Sequence, residues 1–233
     1  NFDFLKVILK FCCGVFMERK VAVVLSGCGY LDGAEVTEAV SSLIALSEEG
    51  ATVEVFAPKA TQKEVDHNSG EETGKERNLF EDVARITRGR VTDLENLKEE
   101  NFDAMVIPGG FGAAKNLSDF AVKASKGKVL PVLEKAIKDF HAASKPIAVF
   151  CIAPAMLSLV LGKEGVALSI GNDEGTAAEI EKTGAEHINC DVDDFVTDRE
   201  HKVISAPAYM YDAKPHEVYT GIRKAIHELI EMA

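Results

Sequence analysis

The chain has 233 residues, 46% of them hydrophobic, and a formal net charge of −12. That length and composition suit one globular domain with a large core. The acidic balance argues against nucleic acid or an anionic membrane as partner, because both select basic surfaces. Five cysteines, at 12, 13, 28, 151 and 190, form no C-x-x-C pair. Neither a disulfide framework nor a zinc site is therefore expected, and a reducing compartment such as the cytoplasm is.

Residues 1–16 (NFDFLKVILKFCCGVF) stand apart as an apolar stretch with two adjacent cysteines. They read as an extension outside the domain, which begins at Met17 and runs to 233. The alternative reading is a targeting segment, which would place the protein in the mitochondrial matrix.

Lys20 to Ser26 (KVAVVLS) reads as a buried strand, broken by Gly27-Cys28-Gly29. A helix follows, with Val36, Ala39, Val40, Leu43 and Ile44 at helical spacing as its expected core stripe and Gly50 as its stop. Thr52 to Phe56 is a second strand, which completes a βαβ unit. Residues 58–77 carry no apolar period and read as a long polar loop, either a lid or disordered. A helix is expected over 78–88. A third buried strand, 102–107, ends in Pro108-Gly109-Gly110-Phe111-Gly112. After a polar stretch (115–128) comes a helix at 132–143. Strands are expected at 166–170, 187–197 and 202–205, the last two at an edge, with helices at 176–183 and 215–232. The alternation predicts a single doubly wound α/β domain whose ligands bind beyond the carboxyl ends of the strands.

Three loops converge there: 27–35, 108–113 and the turn at Cys151. Pro146 to Phe150 is a short apolar strand, and Ala153, Pro154, Ala155, Met156 and Leu157 begin a helix. Cys151 thus sits on a sharp strand-to-helix turn, the nucleophile-elbow arrangement with a thiol in place of a hydroxyl. A helix amino terminus favours thiolate over thiol. The competing reading is a small buried hydrophobe. Gly109 and Gly110 would let backbone N–H groups approach a substrate, and with the Ile152 N–H they could form an oxyanion hole. Glu35 and Glu38, in the first turn of the first helix, are candidate proton carriers. The alternatives are a helix cap for Glu35 and a solvated side chain for Glu38, which lies roughly 200° around the helix from Val36. Six histidines are scattered, and Ile152 rather than histidine follows the cysteine; His187 is a weak candidate base.

The segments SGCGYLDGAEVTEAV (26–40), ARITRG (84–89), VIPGGFGAAKNLSDFA (106–121), CIAPAML (151–157), GTAAEIEKTGAEH (175–187) and SAPAYM (205–210) resemble the ElbB family. That family is linked by name to isoprenoid biosynthesis and belongs to the PfpI and class I glutamine amidotransferase-like superfamily. The resemblance runs from about Met17 to the end of the chain. It implies a flavodoxin-like sandwich, with Cys151 at the nucleophile position and oxyanion N–H groups from Gly110 and Ile152. Glu38 falls on the carboxylate that touches the cysteine, and Glu35 is its neighbour. Ile152, where protease-like relatives have histidine, departs from their pattern and speaks against peptidase activity.

The resemblance further implies a homodimer that uses no cofactor and no metal. The activity expected on these grounds is that of a glutathione-independent, glyoxalase III-like lyase acting on a small 2-oxoaldehyde. Cys151 would add to glyoxal or methylglyoxal and Glu38 or Glu35 would move the proton. The alternatives are an amidase or amidotransferase using the same cysteine, and a cysteine-based redox sensor without turnover.

Overall fold

The computed structural model describes residues 18–233; the expected extension at 1–16 lies outside them. The strands are β1 (Lys20–Val24), β2 (Thr52–Ala57), β3 (Thr61–Val65), β4 (Glu72–Asn78), β5 (Thr92–Asp93) and β6 (Ala104–Ile107). They continue with β7 (Ile147–Phe150), β8 (Ala167–Leu168), β9 (Glu186–His187), β10 (Val196–Asp198) and β11 (Val203–Ala206). The helices that position the site are α1 (Val36–Glu48), α2 (Leu79–Thr87), α3 (Phe111–Lys115), α4 (Phe120–Lys123) and α5 (Pro131–Ala142). After β7 come α6 (Ala153–Leu161), α7 (Glu174–Glu181) and α8 (Pro215–Met232).

Seven strands form one sheet in the order β10-β11-β7-β6-β1-β2-β5. Every pairing is parallel except that of the edge strand β10, which runs antiparallel to β11. β6, β7 and β11 are buried along their whole length, as a strand covered on both faces must be. Alternate residues feed two cores. Ala22 and Val24 join Ile107, Val149, Ile137 and Met156 on one face, while Val21 and Val23 join Val106, Phe150, Ile222 and Leu46 on the other. This is the expected flavodoxin-like, doubly wound, mostly parallel sheet with helices on both faces. The chain leaves β1 in one direction through β2 and β5, then returns to β6 on the other side. The loops after β1 and β6 therefore part from each other and leave a crevice at the carboxyl edge. Among the described residues, no helix is long and apolar enough to cross a membrane.

Four expectations are corrected. The polar loop at 58–77 is a hairpin, β3 paired antiparallel with β4. Its strands are too charged for a period-two apolar signal, but an Asx turn at its tip (Asn68 N–H to Asp66 Oδ1, 2.8 Å) and a Lys63–Glu72 pair at 2.9 Å hold its register. The expected edge strand at 202–205 is interior, because β11 lies between β7 and β10. Within 166–170 only β8 is extended, paired with β9 in a small sheet of its own.

The fourth correction concerns the face of α1. Val36, Val40 and Ile44 are 38–47% exposed, while Glu38, Ala39, Ser42, Ala45 and Leu46 are buried. Small residues let the helix lie close to the sheet and to α8, and the Ser42 hydroxyl satisfies itself on the Glu38 carbonyl at 2.7 Å. The large β-branched residues face outward beside Pro215, His216 and Tyr219. Leu46→Ala should therefore cost about 2–5 kcal/mol. Ile44→Ala, two residues away on the predicted core stripe, should cost less than about 1 kcal/mol. Urea midpoints of the two variants test this; equal losses would contradict the rotated helix.

Candidate active site

Cys151 follows β7 directly, and its N–H still donates to Ala206 O of β11 at 3.0 Å. Its φ is +57°, in the left-handed region that a non-glycine residue occupies at a cost of about 1–3 kcal/mol. This kink turns the chain from strand into helix over one residue and aims the thiol off the sheet edge, with Ile152 as the N-cap of α6. The residue is 7% exposed, and that surface opens on a cleft of about 680 Å3.

Glu38 reaches the same point from α1. It is fully buried, which corrects the solvated alternative. Its Oε2 accepts the Gly109 N–H at 2.9 Å and its Oε1 accepts the Tyr209 N–H at 3.2 Å, which sets the carboxyl beside the Cys151 thiol, near enough for each group to shift the other's titration. Burial, and to a lesser degree the charge of Glu35, push its pKa up to about 8. Glu35 itself caps α1, accepting the Glu38 N–H at 2.6 Å, and also lines the cleft. Burial raises its pKa as well. Both glutamates thus lie at the site in different positions: Glu38 against the sulfur, Glu35 in the cleft wall.

Each of the two glycines is required by its surroundings. A Cβ on Gly109 would stand 2.4 Å from the Cys151 Cβ. A Cβ on Gly110 would stand 2.4 Å from the Glu35 nitrogen, and its φ is +90°. The Gly109 N–H is directed to Glu38, so it cannot take part in an oxyanion hole; that expectation is corrected. The N–H groups of Gly110 and Ile152 instead face the Cys151 sulfur and favour its thiolate.

A second correction concerns protonation. Helix α6 offers its amino terminus, but burial and then the Glu38 carboxylate push the Cys151 thiol well above its usual range, against the pull of the two N–H groups. The repulsion from Glu38 exists only while that carboxyl is ionised. When Glu38 holds the proton that repulsion is gone, and the Gly110 and Ile152 N–H groups favour the thiolate unopposed by charge. One proton shift between Glu38 and Cys151 therefore interconverts thiol with carboxylate and thiolate with carboxylic acid.

No histidine lines the cleft. His187 accepts the Ile170 N–H at 3.2 Å, and burial lowers its pKa. Among the described residues, no group of three or more His, Cys, Asp and Glu side chains could hold a metal ion. Sequence reasoning missed Tyr209, whose N–H anchors Glu38. It also missed the far wall of the cleft, formed by Asp173, Thr176, Tyr211 and Asp212. The SAPAYM segment was visible as a pattern, but Ala208 is held at φ +46°, and that backbone kink has no signature in composition.

The sequence pattern of the DJ-1/PfpI family matches residues 19–168. The chain belongs to the DJ-1/PfpI family. It is 42% identical over 224 residues to the human protein named glutamine amidotransferase-like class 1 domain-containing protein 3, mitochondrial, covering 91% of this chain and 83% of that one. Among solved structures it resembles an isoprenoid biosynthesis protein with an amidotransferase-like domain from Ehrlichia chaffeensis. That match has a TM-score of 0.85 and 36% identity, covering 92% of this chain and all of the other. A glyoxalase III from Candida albicans shares the fold, with a TM-score of 0.60 at 13% identity over 92% of this chain and 97% of that one. The expected ElbB-like, DJ-1/PfpI relationship thus holds.

For this DJ-1/PfpI site the Glu38 pKa has a consequence for stability. Unfolded, the residue titrates near ~4.3; folded, at about 8. Between those values the folded state keeps a proton that the unfolded state has released. Stability contributed by this group is therefore complete below ~4 and falls by roughly 1.4 kcal/mol per pH unit up to about 8. Glu38→Gln should flatten that decline when denaturation midpoints are followed from pH 4.5 to 8; a wild-type slope retained in the variant would contradict the assignment.

Proposed function

We propose that the protein is a glutathione-independent glyoxalase-type enzyme that converts a 2-oxoaldehyde such as methylglyoxal to the 2-hydroxy acid. The observation that carries this reading is the buried Glu38 carboxyl in contact with the Cys151 sulfur, at the floor of a cleft that no imidazole lines. Glu38 takes the thiol proton as the sulfur attacks the aldehyde carbon, and an S–C bond forms. The negative charge moves to the former carbonyl oxygen. The Gly110 and Ile152 N–H groups no longer face a charged sulfur and are free to hold that oxygen. Glu35 removes the proton on the hemithioacetal carbon and returns it to the neighbouring carbon through an enediol, while Glu38 gives the former thiol proton to the ketone oxygen and becomes a carboxylate again. The product is a thioester, which water hydrolyses to release the hydroxy acid and restore the thiol. Dicarbonyl plus water gives hydroxy acid, with no redox partner and no leaving amine.

That last point separates this reading from its rivals. Glutamine hydrolysis needs an acid for the departing ammonia, and His187 is engaged with Ile170. A redox sensor needs an accessible thiol of low pKa, whereas burial raises that of Cys151. The name of the human relative supports placing this protein in the mitochondrion rather than the cytoplasm. Imaging of the full precursor fused to a fluorescent protein tests that placement, and diffuse cytosolic signal would contradict it.

For turnover, lactate formed from methylglyoxal should vanish in Cys151→Ala. It should fall by at least about a hundredfold in Glu38→Gln, the scale of general acid–base assistance. Because the ionised pair is the reactive form, kcat/KM should rise with pH and level off above about 8. Wild-type lactate production equal to that of Cys151→Ala would refute the proposal.

A further inference from the structure

The cleft is much larger than the reaction above requires. About 680 Å3 lies in the range of pockets that hold drug-sized ligands, several times what a three-carbon dicarbonyl fills. Its walls have one sign of charge. The carboxylates of Glu35, Asp173 and Asp212 line it, and among the described residues no lysine, arginine or histidine does. Asp173 is held ionised, because it caps α7 and accepts the Thr176 N–H at 2.7 Å. Four aromatic residues, Tyr30, Phe111, Tyr209 and Tyr211, line it as well, alongside Ile152, Thr176 and Met210. Lys115, which is not among the residues lining the cleft, donates to the Leu31 carbonyl at 3.1 Å and lies over the Phe111 ring.

Carboxylates between aromatic faces are a poor environment for an anion and a good one for a cation. Coulomb attraction and the ring quadrupoles act in the same direction. The chain's net charge of −12 adds a field of the same sign. Resting on Cys151 as the nucleophile of this cleft, we infer that its substrate class is carbonyl compounds carrying a positive charge, an ammonium or guanidinium group attached beyond the reacting carbonyl. The reacting carbon sits at Cys151, and the cation lies toward Asp173 and Asp212. Small uncharged dicarbonyls use the floor of the cleft and leave this wall unoccupied. Carboxylate- or phosphate-bearing aldehydes are disfavoured.

Three thiol reagents of similar size and different charge read this directly: the trimethylammonioethyl, hydroxyethyl and sulfonatoethyl methanethiosulfonates. Each forms a mixed disulfide with the cysteine and expels methanesulfinate. Mass spectrometry of the peptide containing Cys151 gives the rate at that residue alone. Relative to 2-mercaptoethanol, the cation-to-anion rate ratio at low salt should be at least about tenfold. It should fall about sevenfold in each of Asp173→Asn and Asp212→Asn, because one charge some 7 Å away in water moves the cation and anion rates about threefold each in opposite directions, and it should shrink at high salt. Asparagine at 173 retains the helix cap.

In a second arm, (trimethylammonio)acetaldehyde should protect Cys151 from iodoacetamide at lower concentration than glyoxylate does. A rate ratio no greater than that of 2-mercaptoethanol, or one unmoved by both substitutions, overturns the inference. So does better protection by glyoxylate. The rate ratio reports the field at the sulfur whether or not methylglyoxal is turned over, so this inference and the glyoxalase reading fail separately.

Discussion

A single carboxyl group held in hydrocarbon organises this molecule. Glu38 gives up all contact with water, and two backbone N–H groups replace it beside the Cys151 thiol. Those partners come from the loops after β6, β7 and β11, so the residue joins three strand ends to the first turn of α1. Leaving such a group unpaired in the interior would cost several kcal/mol. The positions of Gly109, Cys151 and Tyr209 are therefore fixed by its needs as much as by the sheet. The same burial that makes Glu38 expensive keeps it protonated near neutrality, which is what a proton partner for a thiol requires. Stability and chemistry are set here by one desolvated group.

How far the sequence could be read follows from where the physical signal lies. The parallel sheet was legible because Val21–Val24, Ala104–Ile107 and Ile147–Phe150 are apolar on both faces and sit between turn residues. The elbow was legible because an apolar strand runs into Cys151 and Pro154 marks a first helical turn. The face of α1 was not. Periodicity weighs Val36, Val40 and Ile44 as the most apolar residues and turns them inward, whereas the close approach of helix to sheet selects Ala39, Ser42 and Ala45 for their size. The hairpin at 61–78 was hidden for the opposite reason: its strands contain almost no apolar residues, and backbone pairing and side-chain charge carry it. The protonation of Cys151 was misjudged because a helix amino terminus can be read from sequence but the depth of burial cannot.

The elbow also distributes strain among neighbours that tolerate it. A left-handed cysteine needs empty space on one side, and Gly109 supplies it, since any side chain there would overlap the cysteine itself. Gly110 then makes a similar concession to Glu35 and Gly33. The two consecutive glycines thus serve the fold first, and what they leave available to chemistry is one N–H, not two.

Asn116 has a role of a different kind. Its side-chain nitrogen lies 3.0 Å from Ser26 O, 2.8 Å from Asp32 O and 2.6 Å from Gln62 Oε1. An amide has two protons for these three acceptors. Nearby, the Ser26 hydroxyl, one oxygen of Asp32 and the nitrogen of Gln62 are buried without a hydrogen-bond partner among the described residues. The seam joining the β3–β4 hairpin to the wall that bears Tyr30 is therefore only partly satisfied, held by the Val65 N–H on Asp32 Oδ2 at 2.9 Å and the Leu31 N–H on His67 Nε2 at 3.3 Å. On heating or under proteolysis this arm would peel away before the sheet melts, so the first event in denaturation would dismantle one side of the cleft while the elbow still stood.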